Sequence, residues 1–380
     1  MIVGQLYNKT IGGGSVLTRE KLKWAVIGGG NGGQAAAGHL GVNGFSVRLF
    51  DIMEDTVNAI NDQGGIKVEG AVKGFGKVEK ATSDIAEAIE DADIIMVILP
   101  ALYHRDVAKK LAPHIRSTQI LFIHPGATFG AFEFKQVFEE EGAPDSVIIA
   151  EAQSLLYACR LNKPGYASIK GIKDNLMVAA IPAFKTGMVV EKIQQAFSTV
   201  IAGKNVLDTS LNNLNAIMHP GPTLLNTSMI ESPYDWRYYW DGVTPTIGAY
   251  IEKMDMERVD LGKKMGLELE PVLQMYRTLY NVEGETLTEV VKKNKAYEEV
   301  MGQKRVDTRY MLEDVPMSLY PFVSMAQQLG TPFEKMEIVC KFSSYLLDRD
   351  FIQEARTMKT LGFENMTAEE IIQYAETGKK

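Results

Sequence analysis

The sequence predicts an α/β fold: a doubly wound parallel sheet in the N-terminal half, followed by an all-helical C-terminal domain. Three observations predict it. A glycine-rich turn separates a strand-like run from a helix-like one. Near-continuous apolar runs then alternate with helical segments as far as about residue 205, and beyond about Leu211 β-type runs become sparse.

Residues 1–22 show weak periodicity, and Gly12, Gly13 and Gly14 stand where a secretion signal would carry its apolar centre. They read as an extension ahead of the fold, and export is not expected. From Lys23 the pattern changes. The run KWAVIGGG is a short strand, NGGQAAAGHLGVNG an alanine-rich helix and FSVRLFD a second strand, a βαβ unit. ADIIMVILP reads as a fully buried strand, Tyr103–Leu111 as a helix, QILFIHPG as a strand, Ala131–Glu140 as a helix and Ser146–Ala150 as the next strand. NLMVAAIPA and the helix after it close the series. In the helical part, Ile247, Tyr250, Ile251, Met254 and Leu261 fall on one face. Pro321–Gly330 runs from a proline suited to the first helical position to a glycine suited to the position past the end. The expected division is 1–22, 23–205 and 206–380.

With 46% hydrophobic and 23% charged residues among 380, the chain can bury a packed core and is neither disordered nor fibrous. Forty Lys and Arg against 48 Asp and Glu give a net charge of -8, which argues against a nucleic-acid partner. An anionic substrate would therefore need a locally placed Arg or Lys. The longest apolar stretch, Ile94 to Tyr103, is about half the ~20 residues of a membrane span and contains Pro100, so no membrane partner is expected. Cys159 and Cys340 lie far apart without metal-ligand spacing, which points to a reducing cytoplasm and to no cysteine-based metal site.

The loop GGGNGG holds Gly28-x-Gly30-x-x-Gly33, with Asn31 inside it, directly after a strand and before a helix. In that setting Gly28 permits the tight turn, Gly30 admits a pyrophosphate to the backbone and Gly33 lets helix and strand pack closely, while the helix N-terminus holds the phosphates. Asp51 ends the second strand, where a carboxylate accepts from the adenosine ribose, and no Arg or Lys follows it in DIMED. NAD is expected over NADP. A carboxylate there equally serves as the N-cap of the following segment. Pro100 and Ala101, past the buried strand, either line the cofactor or simply end the strand. Residues 23–205 thus read as the dinucleotide-binding domain and 206–380 as the substrate and catalytic domain.

Of five histidines, His39 and His114 read as structural or solvated, and His104 and His124, just beyond strand ends, as weaker candidates for approach to a nicotinamide. His219 differs. In LNNLNAIMHPGP, Asn215 and His219 are four apart on an apolar helix, and Pro220 should kink or end that helix directly after the histidine. A histidine fixed at such a break suits proton donation near neutral pH. RYMLEDVP supplies Asp314 as a possible orienting carboxylate and Arg309 five residues earlier, although spacing alone cannot pair residues so far apart. A core histidine and an Arg309–Asp314 surface ion pair are the plainer readings. Tyr239 and Trp240, in the aromatic run YDWRYYW, fit either a substrate pocket or packing.

Taken together, IGGGNGG, AEAQSLLYACR, LNAIMHPGPTLLN, GVTPTIGAYIEKMDMER and DTRYMLEDVP resemble the opine dehydrogenases of the octopine/nopaline dehydrogenase family, with the bacterial N-(1-carboxyethyl)-L-norvaline dehydrogenase branch nearest, over roughly Lys23 to Gln373. The resemblance implies a Rossmann-type domain and a helical domain with the substrate cleft between them, NAD as cofactor, small-molecule substrates and a homodimer. It further implies that His219 is the acid/base group, Asp314 its orienting partner, Arg309 a substrate-carboxylate or relay residue and Asn215 a polar lining residue. The expected reaction joins an α-keto acid, pyruvate first, to an amino acid's amino group and reduces the imine to a secondary amine dicarboxylate. Two other readings remain open at this point: a 2-hydroxy-acid or ketopantoate-type reductase, many of which use a helical lysine as acid, and an NAD-binding sensor without turnover.

Overall fold

The computed structural model describes residues 21–380; the expected extension, but for its last two residues, lies outside the described residues. Eight strands form the main sheet in the spatial order Val200–Ala202, Leu176–Ile181, Ile148–Ala152, Ile120–Ile123, Ile94–Val97, Lys23–Ile27, Ser46–Phe50 and Lys80–Thr82. From Ile148–Ala152 to Lys80–Thr82 all neighbours are parallel. The strand order reverses between Lys23–Ile27 and Ile94–Val97, and at such a switch point the carboxyl ends of the strands open a crevice. Ile94–Val97 and Ile120–Ile123 are buried at every position, as strands covered on both faces must be.

One edge departs from the expected all-parallel sheet. Leu176–Ile181 is antiparallel to Ile148–Ala152 and is itself paired in parallel with Val200–Ala202. Between Ala152 and Leu176 the chain forms an antiparallel pair, Tyr157–Lys163 with Tyr166–Ile172, in place of a crossover helix, so the next strand returns reversed. That pair joins Gly65–Gly70 and Gly74–Lys77 in a second, four-stranded sheet, which sequence periodicity did not reveal. The glycine-rich helix Asn31–Val42 packs against it. A Cβ at Gly38 would lie 2.4 Å from Val68, which explains why that helix is built from small residues.

After Ala202 the named elements are helical, beginning with Val206–Leu211, and none of the described helices is long and apolar enough to cross a membrane. The longest, Pro245–Lys264, starts with Thr244 capping Ile247 N–H and a proline in its first turn. The expected stretch Pro321–Gly330 appears as the helix Tyr320–Leu329, closed by Gly330 in the left-handed conformation. A fully buried Arg258–Asp255 pair (2.6 Å) braces the segment ahead of His219: Arg258 also donates to the Leu211 and Glu270 carbonyls, and Asp255 accepts from Val272 N–H. Two other buried networks join the helical elements to the main sheet. Glu151 accepts from Thr209, Ser210 and Ala131 N–H, and Arg356 reaches Glu133, the Thr128 carbonyl and His104.

Candidate active site

The first turn of the helix Asn31–Val42 follows the strand Lys23–Ile27 through Gly28, Gly29 and Gly30. Gly28 has φ +111° and donates to the Phe50 carbonyl (2.9 Å), and a Cβ at Gly33 would fall 1.6 Å from the Gly28 carbonyl oxygen. These contacts make the turn tight. Gly30 is the opposite case: it is exposed, and a Cβ on it would meet nothing within 4 Å, so the backbone there is open to a diphosphate. No acidic residue lies in the first helical turn, which suits an anion at that end. Asn31 supports this turn from the side, its Oδ1 accepting from Leu161 N–H (2.8 Å).

Asp51 stands at the end of Ser46–Phe50. Its Oδ2 accepts from Gly29 N–H (2.5 Å) and its Oδ1 from Met53 N–H (2.8 Å). It is not the N-cap of the next helix, a position that Met53 occupies without a side-chain bond. The carboxylate is instead locked to the glycine loop, half-exposed, with lone pairs left for ribose hydroxyls. The glycine loop, Asp51 and the strand-end position of Pro100 fit a bound NAD(P).

At the other end, the apolar helix expected around His219 is a single turn, Asn215–Met218, and Pro220 opens the next helix, Pro220–Leu225. Proline lacks an N–H to continue the first ladder, so the histidine stands at the break, as its spacing before Pro220 predicts. His219 Nδ1 is 2.8 Å from Asp314 Oδ2, and both side chains are close to 90% buried. A carboxylate accepts, so Nδ1 carries the hydrogen, and Nε2 has no hydrogen-bond partner among the described residues. Tyr310 stacks flat on the imidazole (centroids 3.8 Å apart, planes 10° apart), and Tyr238 donates to the His219 carbonyl (2.8 Å). Asp314 is held in turn by Ser318 Oγ (3.3 Å), and Ser318 by Asn213 Nδ2 (3.1 Å). Asp314 directly precedes a π-helical turn, Val315–Leu319, the kind of irregularity that often re-aims functional side chains.

Arg309 lies beside this pair and is largely exposed, with 73% of its side-chain surface accessible. Its Nε donates to Glu313 Oε2 (2.5 Å), not to Asp314, so the plainer Arg309–Asp314 pairing is not formed. The other oxygen of Glu313 accepts from Ala101 N–H (2.9 Å), directly after Pro100. Glu313 and Tyr310 were not singled out from the sequence, and Tyr238 only as one of the aromatic residues of YDWRYYW. Glu313 had a signal, four residues after Arg309 at helical spacing.

Other candidates divide. Asn215 is exposed, and its carbonyl accepts from His219 N–H (3.0 Å). Tyr239 is buried and stacked on Tyr297 (3.9 Å), and half-buried Trp240 lies under the Arg237 guanidinium (4.8 Å). His104 and His124 do not reach the crevice as ionisable groups. His124 Nε2 accepts from Leu156 N–H, His104 Nδ1 faces Arg356, and burial pushes both down to about 3.

Residues 202–347 match the family model for the alpha-helical domain of NAD/NADP octopine/nopaline dehydrogenase, and residues 23–137 that for the N-terminus of NAD-dependent glycerol-3-phosphate dehydrogenase. The fold is shared with a solved octopine dehydrogenase holding NADH and L-arginine, at TM-score 0.80 and 18% identity, covering 95% of this chain and 99% of that one. A ketopantoate reductase from Ralstonia eutropha JMP134 superimposes less well, at TM-score 0.58 and 16% identity over 86% of this chain and 99% of that one. An opine dehydrogenase from Arthrobacter sp. (strain 1C) is 38% identical over 92% of this chain and 97% of its own length. With that identity across nearly the whole of both chains, and an octopine/nopaline helical domain around His219 and Asp314, the protein belongs to the opine dehydrogenase family.

Proposed function

We propose that this protein is an NADH-dependent opine dehydrogenase that condenses an α-keto acid, pyruvate first, with the amino group of an amino acid and reduces the imine to a secondary amine dicarboxylate. The observation that carries the reading is the His219–Asp314 pair, which leaves Nε2 for a substrate proton and stands next to Arg309. His219 Nε2 removes a proton from the substrate ammonium, freeing the amine to attack the keto carbon. It returns a proton to the carbinolamine hydroxyl as water leaves. Asp314 holds Nδ1–H through both transfers and stabilises the imidazolium between them. Arg309 is tied to Glu313 through Nε alone, so its two terminal nitrogens take a substrate carboxylate in bidentate fashion. NADH, bound by Gly28, Gly30, Asn31, Gly33 and Asp51 with Pro100 beside it, supplies the hydride for the imine carbon. In this reading Asn215 and Trp240 line the substrate site, and Tyr239, buried and stacked on Tyr297, serves as packing.

In this reading residues 23–205 hold the cofactor and 206–380 the catalytic groups; the last strand ends at Ala202 and the first helix of the second part starts at Val206. A cytoplasmic homodimer is part of the proposal. Both cysteines are free, in keeping with a reducing compartment, and the helix Glu334–Leu347 exposes Ile338, Phe342, Tyr345 and Leu346, an apolar face for a second copy that light scattering would detect. The test of function is NADH oxidation by pyruvate against twenty amino acids, with pyruvate alone as control. Turnover that needs both substrates is expected. Equal turnover with pyruvate alone would make the protein a 2-hydroxy-acid reductase, and NADH binding without oxidation across the panel would make it a sensor.

A further inference from the structure

The product class proposed above carries two carboxylates, one on each side of the new amine, and Arg309 accounts for one. A second guanidinium stands beside the cofactor loop. Arg160 belongs to the strand Tyr157–Lys163, which is fixed against the first turn of the dinucleotide helix: Leu161 N–H donates to Asn31 Oδ1 (2.8 Å) and the Cys159 thiol to the Asn31 carbonyl (3.4 Å). Successive side chains of a strand point to opposite faces, so Cys159 faces the helix and the exposed Arg160 lies on the side away from it, one residue from each of the two contacts with Asn31. Burial and the Asp314 carboxylate push the Tyr310 phenol up, and the charges of Arg160 and Arg309 oppose them. Both guanidiniums therefore lie within electrostatic reach of the ring stacked on His219. Eight other arginines are ion-paired, Arg309 among them. Arg160 is exposed and has no ion pair or side-chain hydrogen bond among the described residues, so its charge does no structural work there.

We propose that Arg160 binds the carboxylate of the α-keto acid, and Arg309 that of the amino acid. NADH held by the dinucleotide domain would supply its hydride to the carbon contributed by the keto acid. The carboxylate on that carbon would therefore lie nearer the cofactor loop, beside which Arg160 stands. In a chain of net charge -8, two guanidiniums also explain how two anionic substrates share one crevice.

The assignment rests on the opine dehydrogenase reading, and the experiment separates the two. Wild-type protein is first assayed with pyruvate and the amino acid panel; no turnover that depends on both would overturn the reading and this assignment together. Arg160→Met and Arg160→Lys are then compared with wild type for both substrate KM values, NADH affinity by fluorescence, and thermal midpoint. The expected result for Arg160→Met is a rise of about tenfold or more in the keto-acid KM, the loss of a charge-assisted contact. The amino-acid KM should stay within about threefold, NADH affinity and thermal midpoint should not change, and Arg160→Lys should recover part of the loss. An unchanged keto-acid KM would overturn the assignment. So would a matching loss of NADH affinity, which would move Arg160 to the cofactor diphosphate, or a rise confined to the amino-acid KM, which would exchange the two arginines.

Discussion

The two ends of the crevice are built in different ways. The cofactor end is a contiguous stretch of backbone: Gly28 to Gly33 supply N–H groups with Asn31 the one side chain among five glycines, and a single carboxylate, Asp51, is clipped to the loop at Gly29. The catalytic end is made of side chains from separate segments, with His219 at one helix break and Asp314 at another, held together by 2.8 Å of hydrogen bond and a stacked tyrosine. The first kind of site tolerates changes that add no Cβ; the second depends on every named side chain. Glu313 joins them, one oxygen on Ala101 N–H beside the cofactor loop and the other on Arg309.

The sharpest way to break the comparison is to remove a catalytic side chain and ask whether the cofactor end notices. His219→Ala is expected to lower kcat by ~10²–10⁴, with NADH affinity nearly unchanged, and Asp314→Asn to give a milder form of the same defect. Stopped-flow turnover and NADH fluorescence titration measure the two ends separately. A near-normal kcat for His219→Ala across the pH range would remove His219 from the chemistry. A large loss of NADH affinity would show that the ends are not independent.

The next effect belongs to Arg309. Its exposure and its single bond to Glu313 through Nε suit a carboxylate fork better than a structural brace. Arg309→Lys keeps the charge and loses the planar fork, so the KM for the amino acid should rise about tenfold or more while the thermal midpoint stays within a degree or two. A lower midpoint with unchanged KM would return Arg309 to a structural role. At the cofactor end, Asp51 would face the 2′-phosphate of NADPH with an unneutralised charge. NADPH should be poorer in kcat/KM by about tenfold, near 1.4 kcal/mol, and equal use of both cofactors would remove Asp51 from the ribose.

The same division explains what could be read from the sequence. The glycine loop, Asp51 and the His219–Pro220 break are local features, set by steric rules that act within a few residues, and each appears where its motif predicts. The contact of His219 with Asp314 is not local, since nothing in spacing encodes which helix break meets which. The helix around Asn215 proved to be one turn because Asn213 Oδ1 takes Asn215 N–H at its start and Pro220 denies it a continuation. The second sheet and the reversed edge of the main one escaped the reading because the strands from Gly65 to Lys77 and Tyr157 to Ile172 are half-exposed and lack the continuous apolar runs that marked the buried strands.

The smallest effect concerns a histidine that the sequence offered as a weaker candidate for approach to the nicotinamide and that the fold buries. His124 is fully buried, accepts from Leu156 N–H, and is pushed down to about 3 by burial, with the Lys173 charge adding to the shift. In the unfolded chain its pKa is about 6.5. Between those two values the unfolded state binds a proton that the folded state refuses. The contribution of His124 is therefore fully present above pH 6.5 and is lost as pH falls toward 3, at up to about 1.4 kcal/mol per pH unit. His104 adds a parallel limb for the same reason. His124→Gln keeps an acceptor for Leu156 N–H and removes the titrating group. It should leave kcat at neutral pH within a few-fold of wild type and flatten the loss of stability between pH 6.5 and 4 by about one proton, read from denaturant midpoints at several pH values. An unchanged slope would mean that His124 is protonated in the folded protein, and the buried, silent role assigned to it here would fall.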